Sequence, residues 1–144
     1  MLGTVEISSG QHYWEIKIEK FVELDDIIIG VSLKGIDINQ RPFDTGKFWG
    51  WICTGGRKLF PSSPGGPAQA REYGGCAKIG DTIGVLLEFK GSLGYLSFLK
   101  NGTPLGVCFN NLPVGNYLPT ACLYYGEVQV TLNPNARLDQ ALKK

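Results

Sequence analysis

The sequence predicts an all-β domain in which two antiparallel sheets form a sandwich, and three observations support this prediction. Apolar and polar residues alternate with a period of two in several segments, and no segment longer than about ten residues shows a helical period. Gly and Pro interrupt the chain at short intervals, as they do at turns between strands. About nine short strands without a repeat period favour a sandwich over a closed barrel.

The clearest alternation is in the segment from Tyr13 to Glu19, which predicts a half-buried strand with three apolar side chains on one face: Trp14, Ile16 and Ile18. Near the C-terminus the same pattern predicts that Val128, Val130 and Leu132 point inward. More continuous apolar runs, from Ile27 to Leu33 and from Ile83 to Phe89, predict central strands. Trp49 and Trp51 share a face at a spacing of two, which predicts core packing.

Asn101-Gly102 between two apolar runs is the strongest local signal, because this dipeptide favours a type I′ turn in a two-residue hairpin. If these residues form the loop, Lys100 pairs with Thr103 and Leu99 pairs with Pro104. Proline is tolerated at the second pair because that site needs no N–H donor. Continued without interruption, the register predicts two further pairs, Phe98 with Leu105 and Leu96 with Val107.

The stretch from Ser62 to Gly75 predicts a long loop, either functional or mobile, since it exceeds the usual length of connections in compact domains. Residues 1–144 are expected to form one domain. The chain begins as though already inside a strand, which suggests a piece cut from a longer protein.

Composition excludes several classes of function. Fourteen Lys and Arg against thirteen Asp and Glu give a net charge of +1, which offers no basis for strong attraction to nucleic acid or to an anionic membrane. The apolar runs are far shorter than the roughly 20 residues of a membrane helix, and the N-terminus has no signal-peptide pattern. We expect neither nucleic acid nor membrane as a partner.

The cysteines indicate reduced thiols rather than a metal site. They are widely spaced, contain no C-x-x-C pair and are accompanied by a single histidine, so we expect no metal and no cofactor. Two of them, Cys108 and Cys122, lie in apolar strand-like runs, where a thiol behaves as a small core residue. Two disulfides remain possible by count, but reduced thiols and an intracellular, cytoplasmic setting are favoured.

Six short motifs, in order along most of the chain, resemble the SPRY domain of TRIM ligases and SPRY-domain SOCS-box adaptors. They are Ser9-Gly10-Gln11-His12-Tyr13-Trp14-Glu15, Ile29-Gly30-Val31, Trp49-Gly50-Trp51, the run from Gly80 to Leu87, the hairpin from Leu93 to Phe109, and Tyr117-Leu118-Pro119-Thr120-Ala121. The resemblance implies a concanavalin-like jelly roll that binds a protein or peptide. Three features depart from the family: no PRY segment is evident before Thr4, the loop between Val31 and Trp49 is short, and Tyr125 stands where the adaptors have Trp.

The resemblance also implies where a partner binds. In SPRY domains the turn before the last strand contributes to a peptide pocket, and an aromatic residue of an earlier loop lines the same pocket. Here these positions correspond to Tyr124, Tyr125 and Gly126, and to Gln40, Arg41, Pro42 and Phe43, with Asn116 and Tyr117 at the rim. Aromatic side chains and a forked guanidinium suit peptide capture. Tyr124 in the core with Tyr125 merely exposed is an equally weighted alternative.

Catalysis is not expected. His12 is the only histidine, no nucleophile signature accompanies it, and its place in the first motif favours a structural, hydrogen-bonded role. Asp25 and Asp26 are adjacent, so on a strand their side chains point to opposite faces, unlike the carboxylate pair that a glycosidase holds across one cleft. The leading hypothesis is a protein-interaction module, and family analogy extends it to the substrate-recognition part of a ubiquitin ligase. The alternative is a lectin-like sandwich that stacks sugars on exposed aromatic residues.

Overall fold

A computed structural model describes residues 7–21, 27–35, 47–61, 68–123, 128–133 and 136–138. The chain divides into two compact units, each built from three separate segments. Unit 1 comprises Met1–Ser8, Glu23–Cys76 and Gly115–Tyr125, and unit 2 comprises Ser9–Val22, Ala77–Val114 and Gly126–Lys144. Each unit carries one five-stranded antiparallel sheet.

Unit 1 holds sheet 1, with strand order β5-β4-β3-β2-β9. Its strands are β2 (Ile27–Leu33), β3 (Phe48–Ile52), β4 (Arg57–Pro61), β5 (Ala68–Glu72) and β9 (Tyr117–Leu123). Unit 2 holds sheet 2, with strand order β10-β1-β6-β7-β8. Its strands are β1 (Gln11–Lys20), β6 (Thr82–Lys90), β7 (Leu93–Lys100), β8 (Thr103–Leu112) and β10 (Gln129–Asn133). The all-β prediction is confirmed.

The two central strands of sheet 1 are buried on both faces. All five residues of β3 are buried, as are the first six residues of β2, which explains why β2 reads as a continuous apolar run. Gly30 and Gly50 face each other across these strands. A Cβ at Gly30 would overlap the carbonyl of Trp49, and one at Gly50 would overlap the Phe48 ring. Glycine at both positions therefore permits the close packing of this sheet.

The inward face of sheet 2 agrees with the alternation in the sequence. Trp14, Ile16 and Ile18 are at most 5% exposed, which confirms the predicted face of β1. On the other face the Tyr13 ring lies where a Cβ on Gly84 would be, and its hydroxyl donates to the Glu15 carboxylate at 2.7 Å. Burial and the adjacent Glu15 carboxylate raise the pKa of Tyr13 well above its ordinary value.

The β7–β8 hairpin confirms the predicted turn and corrects the register beyond it. Asn101 and Gly102 both have positive φ, 52° and 84°, and Lys100 pairs with Thr103 and Leu99 with Pro104 as predicted. Of the two further predicted pairs, Leu96 with Val107 is wrong, and Phe98, predicted opposite Leu105, lies where the register shifts. The structure instead pairs Ser97 with Val107 and Leu96 with Phe109.

The cause of this shift is irregular backbone in β8. Gly106 has a φ of 94°, a conformation typical of a bulge. The register shifts at three places along β7, between Ser97 and Leu99, between Leu96 and Ser97, and between Gly94 and Leu96. The bulged strand no longer keeps period two, so Val107 is 55% exposed whereas Cys108 and Phe109 are both buried. A sequence pattern of alternating residues does not reveal where such an extra residue is inserted.

Two other predictions need correction. The predicted loop from Ser62 to Gly75 contains strand β5, which pairs with β4 along its whole length; its residues, AQARE, include few β-formers, so backbone pairing rather than propensity defines this strand. Leu132 is 42% exposed instead of inward. It lies on β10, an edge strand paired only with β1 among the described strands, and edge position leaves its side chain uncovered.

Candidate partner-binding surface

The two ends of sheet 1 are defined by strand register. Leu33 pairs with Tyr117 at what we call the first end, near Lys47 and Asn116. Ile27 pairs with Leu123 at the second end, near Ile52. Since six residues separate Ile27 from Leu33, the two ends lie about 20 Å apart along the strand.

This register determines where the predicted binding segments leave the sheet. The segment that contains Gln40, Arg41, Pro42 and Phe43 joins β2 to β3 at the first end, where Asn116 also lies. The segment that contains Tyr124, Tyr125 and Gly126 follows β9 at the second end. Of these eight residues all but Asn116 lie outside the described residues, so the predicted pocket stays a prediction. For the predicted residues of both segments to line one pocket, one of the two segments would have to run along the sheet to its other end.

Backbone hydrogen bonds hold the first end together. Leu33 N–H donates to the Lys47 carbonyl at 2.9 Å, and Lys34 N–H donates to the Asn116 carbonyl at 2.8 Å. The first bond joins the start and finish of the β2–β3 connection, and the second joins its start to the segment before β9. Lys34, Lys47 and Asn116 are all exposed. The first end therefore offers polar contact groups on a fixed backbone.

Tyr117, predicted at the pocket rim, lies within the core. Its side chain is 0% exposed, and its ring meets Trp49 edge-on with centroids 5.8 Å apart. Its backbone forms reciprocal hydrogen bonds with Ile7, both 2.8 Å long. Burial raises the pKa of Tyr117 far above its ordinary value. In this structure Tyr117 supports the first end rather than exposing a contact surface.

The second end contains an open hollow that sequence reasoning did not identify. It has a volume of about 570 Å³, within the size range of ligand sites, and it is lined by two segments, Gly55–Arg57 and Glu72–Cys76. Positive φ angles at Gly56, Gly74 and Gly75, between 71° and 77°, shape its walls. The glycine pairs Gly55-Gly56 and Gly74-Gly75 were the available sequence signal for it.

Tyr73 fixes one wall of this hollow. The Trp51 indole Nε1–H donates to the Tyr73 carbonyl at 3.0 Å, and the two rings meet nearly at right angles, 85°, with centroids 5.7 Å apart. Tyr73 N–H donates to the Gly56 carbonyl at 2.9 Å. Because Trp51 is completely buried, these contacts anchor the wall to the interior of sheet 1.

The remaining candidate groups are His12, the cysteines and potential metal ligands. The His12 ring Nε2 donates to the Ser9 carbonyl at 2.9 Å, consistent with the structural role predicted for it. None of the four cysteines forms a disulfide, and Cys76 is exposed whereas the other three are buried. Within the part of the chain that the structure describes, no three His, Cys, Asp or Glu side chains form a potential metal site. No helix among those residues is long and apolar enough to cross a membrane.

Comparison with known families and proteins places these observations in context. The model of the SPRY domain matches residues 11–135. F-box/SPRY domain-containing protein 1 of Anopheles gambiae is 26% identical over 136 residues, which are 90% of this chain and 51% of that protein. E3 ubiquitin-protein ligase TRIM9 of Drosophila melanogaster is 31% identical over 139 residues, 96% of this chain and 18% of that protein. This chain thus spans about half of the length of the first relative and less than a fifth of the second.

A solved structure shows the fold. The SPRY domain of human HERC1 superposes with a TM-score of 0.74 at 21% identity, over 94% of this chain and 82% of that one. This likeness shows that the fold is an all-β sandwich of the SPRY type, as predicted.

Proposed function

Because the chain belongs to the SPRY domain family, we propose that it is a protein-interaction module that holds a peptide segment or loop of a partner through loops at the ends of sheet 1. SPRY domains generally bind proteins, and this domain occurs in F-box/SPRY proteins and in TRIM E3 ligases. We extend the proposal to a non-catalytic, intracellular domain that recognises the substrate of a ubiquitin ligase.

The burial of β2 and β3 is the observation that supports this proposal best. Strands buried on both faces form a rigid platform, so variable contact residues are confined to the connections at its ends. The first end carries exposed Asn116 and leads into the segment with Arg41 and Phe43. Flat aromatic side chains beside an arginine are the residue types that dominate binding energy at protein interfaces.

A capture experiment with paired variants tests the proposed loops. Partners captured from lysate by the wild-type chain are identified by mass spectrometry and produced pure, and their affinity is measured by calorimetry. Phe43→Ala and Tyr125→Ala are each expected to weaken binding by roughly thirtyfold if they act as interface hot spots. The double variant should lose capture while its melting temperature changes little, because both substitutions are made in connecting segments.

A matched control is Tyr95→Ala, which removes an aromatic ring from sheet 2, where it lies 5.4 Å from the Lys90 ammonium. This variant should retain partner affinity. If the Phe43 and Tyr125 variants bind the same partners as tightly as the wild type, the loop assignment is wrong. Glycan-array binding in the absence of any protein partner would instead favour the lectin-like alternative.

A further inference from the structure

Strand β5 presents an open edge of sheet 1. It is the terminal strand in the order β5-β4-β3-β2-β9, and among the described residues only β4 pairs with it. A strand in this position exposes a row of backbone N–H and C=O groups, which are a template for pairing with another extended chain. The edge is five residues long, from Ala68 to Glu72.

The hydrogen-bond pattern identifies which backbone groups point outward. Tyr73 N–H donates to the Gly56 carbonyl at 2.9 Å, and in an antiparallel ladder bonded and non-bonded pairs alternate. The pair Lys58–Arg71 is therefore bonded, whereas Leu59–Ala70 is not. The same alternation puts Pro61 at a non-bonded site, which suits its missing N–H. The residues whose backbone groups point away from β4 are Ala68, Ala70 and Glu72.

The charges of the β4–β5 hairpin are unevenly distributed between its faces. Lys58 lies directly opposite Arg71, so two positive side chains share one face. Glu72 lies opposite Arg57 on the other face. Residues 57–72 contain three basic residues and one acidic residue, a charge of +2, while the whole chain carries only +1.

We propose that the β5 edge binds an extended acidic segment of a partner protein, which adds to sheet 1 as a further strand. The outward backbone groups of Ala70 and Glu72 would form the new ladder. Arg71 then faces a partner residue at a non-bonded pair, where side chains across two strands approach most closely. Acidic residues at alternate positions of the added strand reach Arg71 and Lys58 on the same face.

This surface is distinct from the proposed binding loops. It uses the side of sheet 1 formed by β5, whereas the loops follow β2 and β9 on the far side of the strand order. Binding here depends on charge and on backbone pairing instead of aromatic contacts. The two proposals consequently respond to different substitutions, and one can fail while the other holds.

A labelled peptide provides the test. The probe alternates glutamate with threonine and is long enough to cover the five residues of β5; a matched peptide carries glutamine in place of glutamate. Fluorescence anisotropy is expected to show binding of the acidic peptide only, with affinity that falls as salt rises. Backbone amide resonances of Ala70 and Glu72 should shift on binding.

Two variants separate the contribution of charge from that of backbone pairing. Arg71→Gln removes one charge-assisted contact and should weaken binding by roughly tenfold. Ala70→Pro removes an outward N–H donor without removing a bond to β4, so it should block binding while the melting temperature stays close to that of the wild type. Lys90→Gln, a change of an exposed cation on sheet 2, is the control and should bind normally.

Several outcomes would overturn the proposal. The acidic peptide would fail to bind, or Arg71→Gln would bind it as tightly as the wild type does, or the amide shifts would be confined to residues outside β5. Sedimentation offers a further check: if Arg71→Gln self-associates and the wild type ignores the peptide, the basic pair only protects the edge from aggregation. Because the Phe43 and Tyr125 variants should bind the peptide normally, failure here leaves the loop proposal intact.

Discussion

At the scale of single residues, Asn101 shows how a turn residue takes on a second role. Its positive φ fits the predicted hairpin turn. In addition, its side-chain oxygen accepts a hydrogen bond from Thr82 N–H and its side-chain amide donates to Asp81, each at 2.9 Å. Burial raises the pKa of Asp81, but hydrogen bonds from the Asn101 amide and the Lys78 backbone N–H, together with nearby lysines, outweigh it and hold the pKa below its ordinary value. The turn is thus tied to the start of β6.

Asn101→Ala should lower the free energy of unfolding by roughly 2 kcal/mol, because alanine disfavours positive φ and cannot form the two side-chain bonds. Asn101→Gly keeps the conformational freedom and loses only the bonds, so it should cost less. Urea denaturation of both variants and the wild type measures the difference. Equal stability of all three proteins would contradict both the backbone strain expected for alanine and the stabilising effect of the two side-chain hydrogen bonds.

At the scale of elements, β8 illustrates how one residue changes the pairing of a whole strand. The turn specifies the first two pairs of the hairpin, and Gly106 then shifts the register, leaving Val107 exposed. No heavy atom lies within 4 Å of the position that a Cβ on Gly106 would occupy. The requirement for glycine here is therefore conformational and not steric.

Gly106→Ala should destabilise the protein by about 1–2 kcal/mol through backbone strain alone. Asn110→Ala, at an exposed site on the same strand, is the control and should change stability by less than about 0.5 kcal/mol. Thermal and urea denaturation give both values. A fully stable Gly106→Ala variant would mean that the bulge relaxes to the regular register, and amide exchange along β8 would then change.

At the scale of the whole molecule, the four cysteines differ in exposure, and both units contain buried ones. Cys53 and Cys122 are buried in unit 1, and Cys108 is buried in unit 2, each at most 6% exposed. Cys76 is exposed at the hollow of the second end. The native protein therefore differs sharply from the unfolded chain in the number of accessible thiols.

Ellman's reagent should react rapidly with a single thiol in the native protein, and with all four after denaturation. Reaction requires an accessible thiolate, so buried thiols react only after the fold opens locally or globally. Cys76→Ser is the matched control and should abolish the rapid reaction. Two or more rapidly reacting thiols in the wild type would show that one of the sheets opens readily under native conditions.

Local sequence patterns determined the features that depend on neighbouring residues. The alternation around Trp14 predicted a half-buried strand, the run from Ile27 to Leu33 predicted a central strand, and Asn101-Gly102 predicted a turn. Six ordered motifs predicted the family. These predictions succeed because side-chain period and turn chemistry are properties of short segments.

Only the tertiary structure decided what depends on distant segments. Strand β5 exists because β4 supplies its hydrogen bonds, and the hollow beside Cys76 forms where two separate turns meet. Register likewise determined that the connection after β2 begins at one end of sheet 1 and that the chain after β9 begins at the other. Antiparallel pairing of residues far apart in sequence fixes these positions, and no local pattern encodes which strand lies beside which.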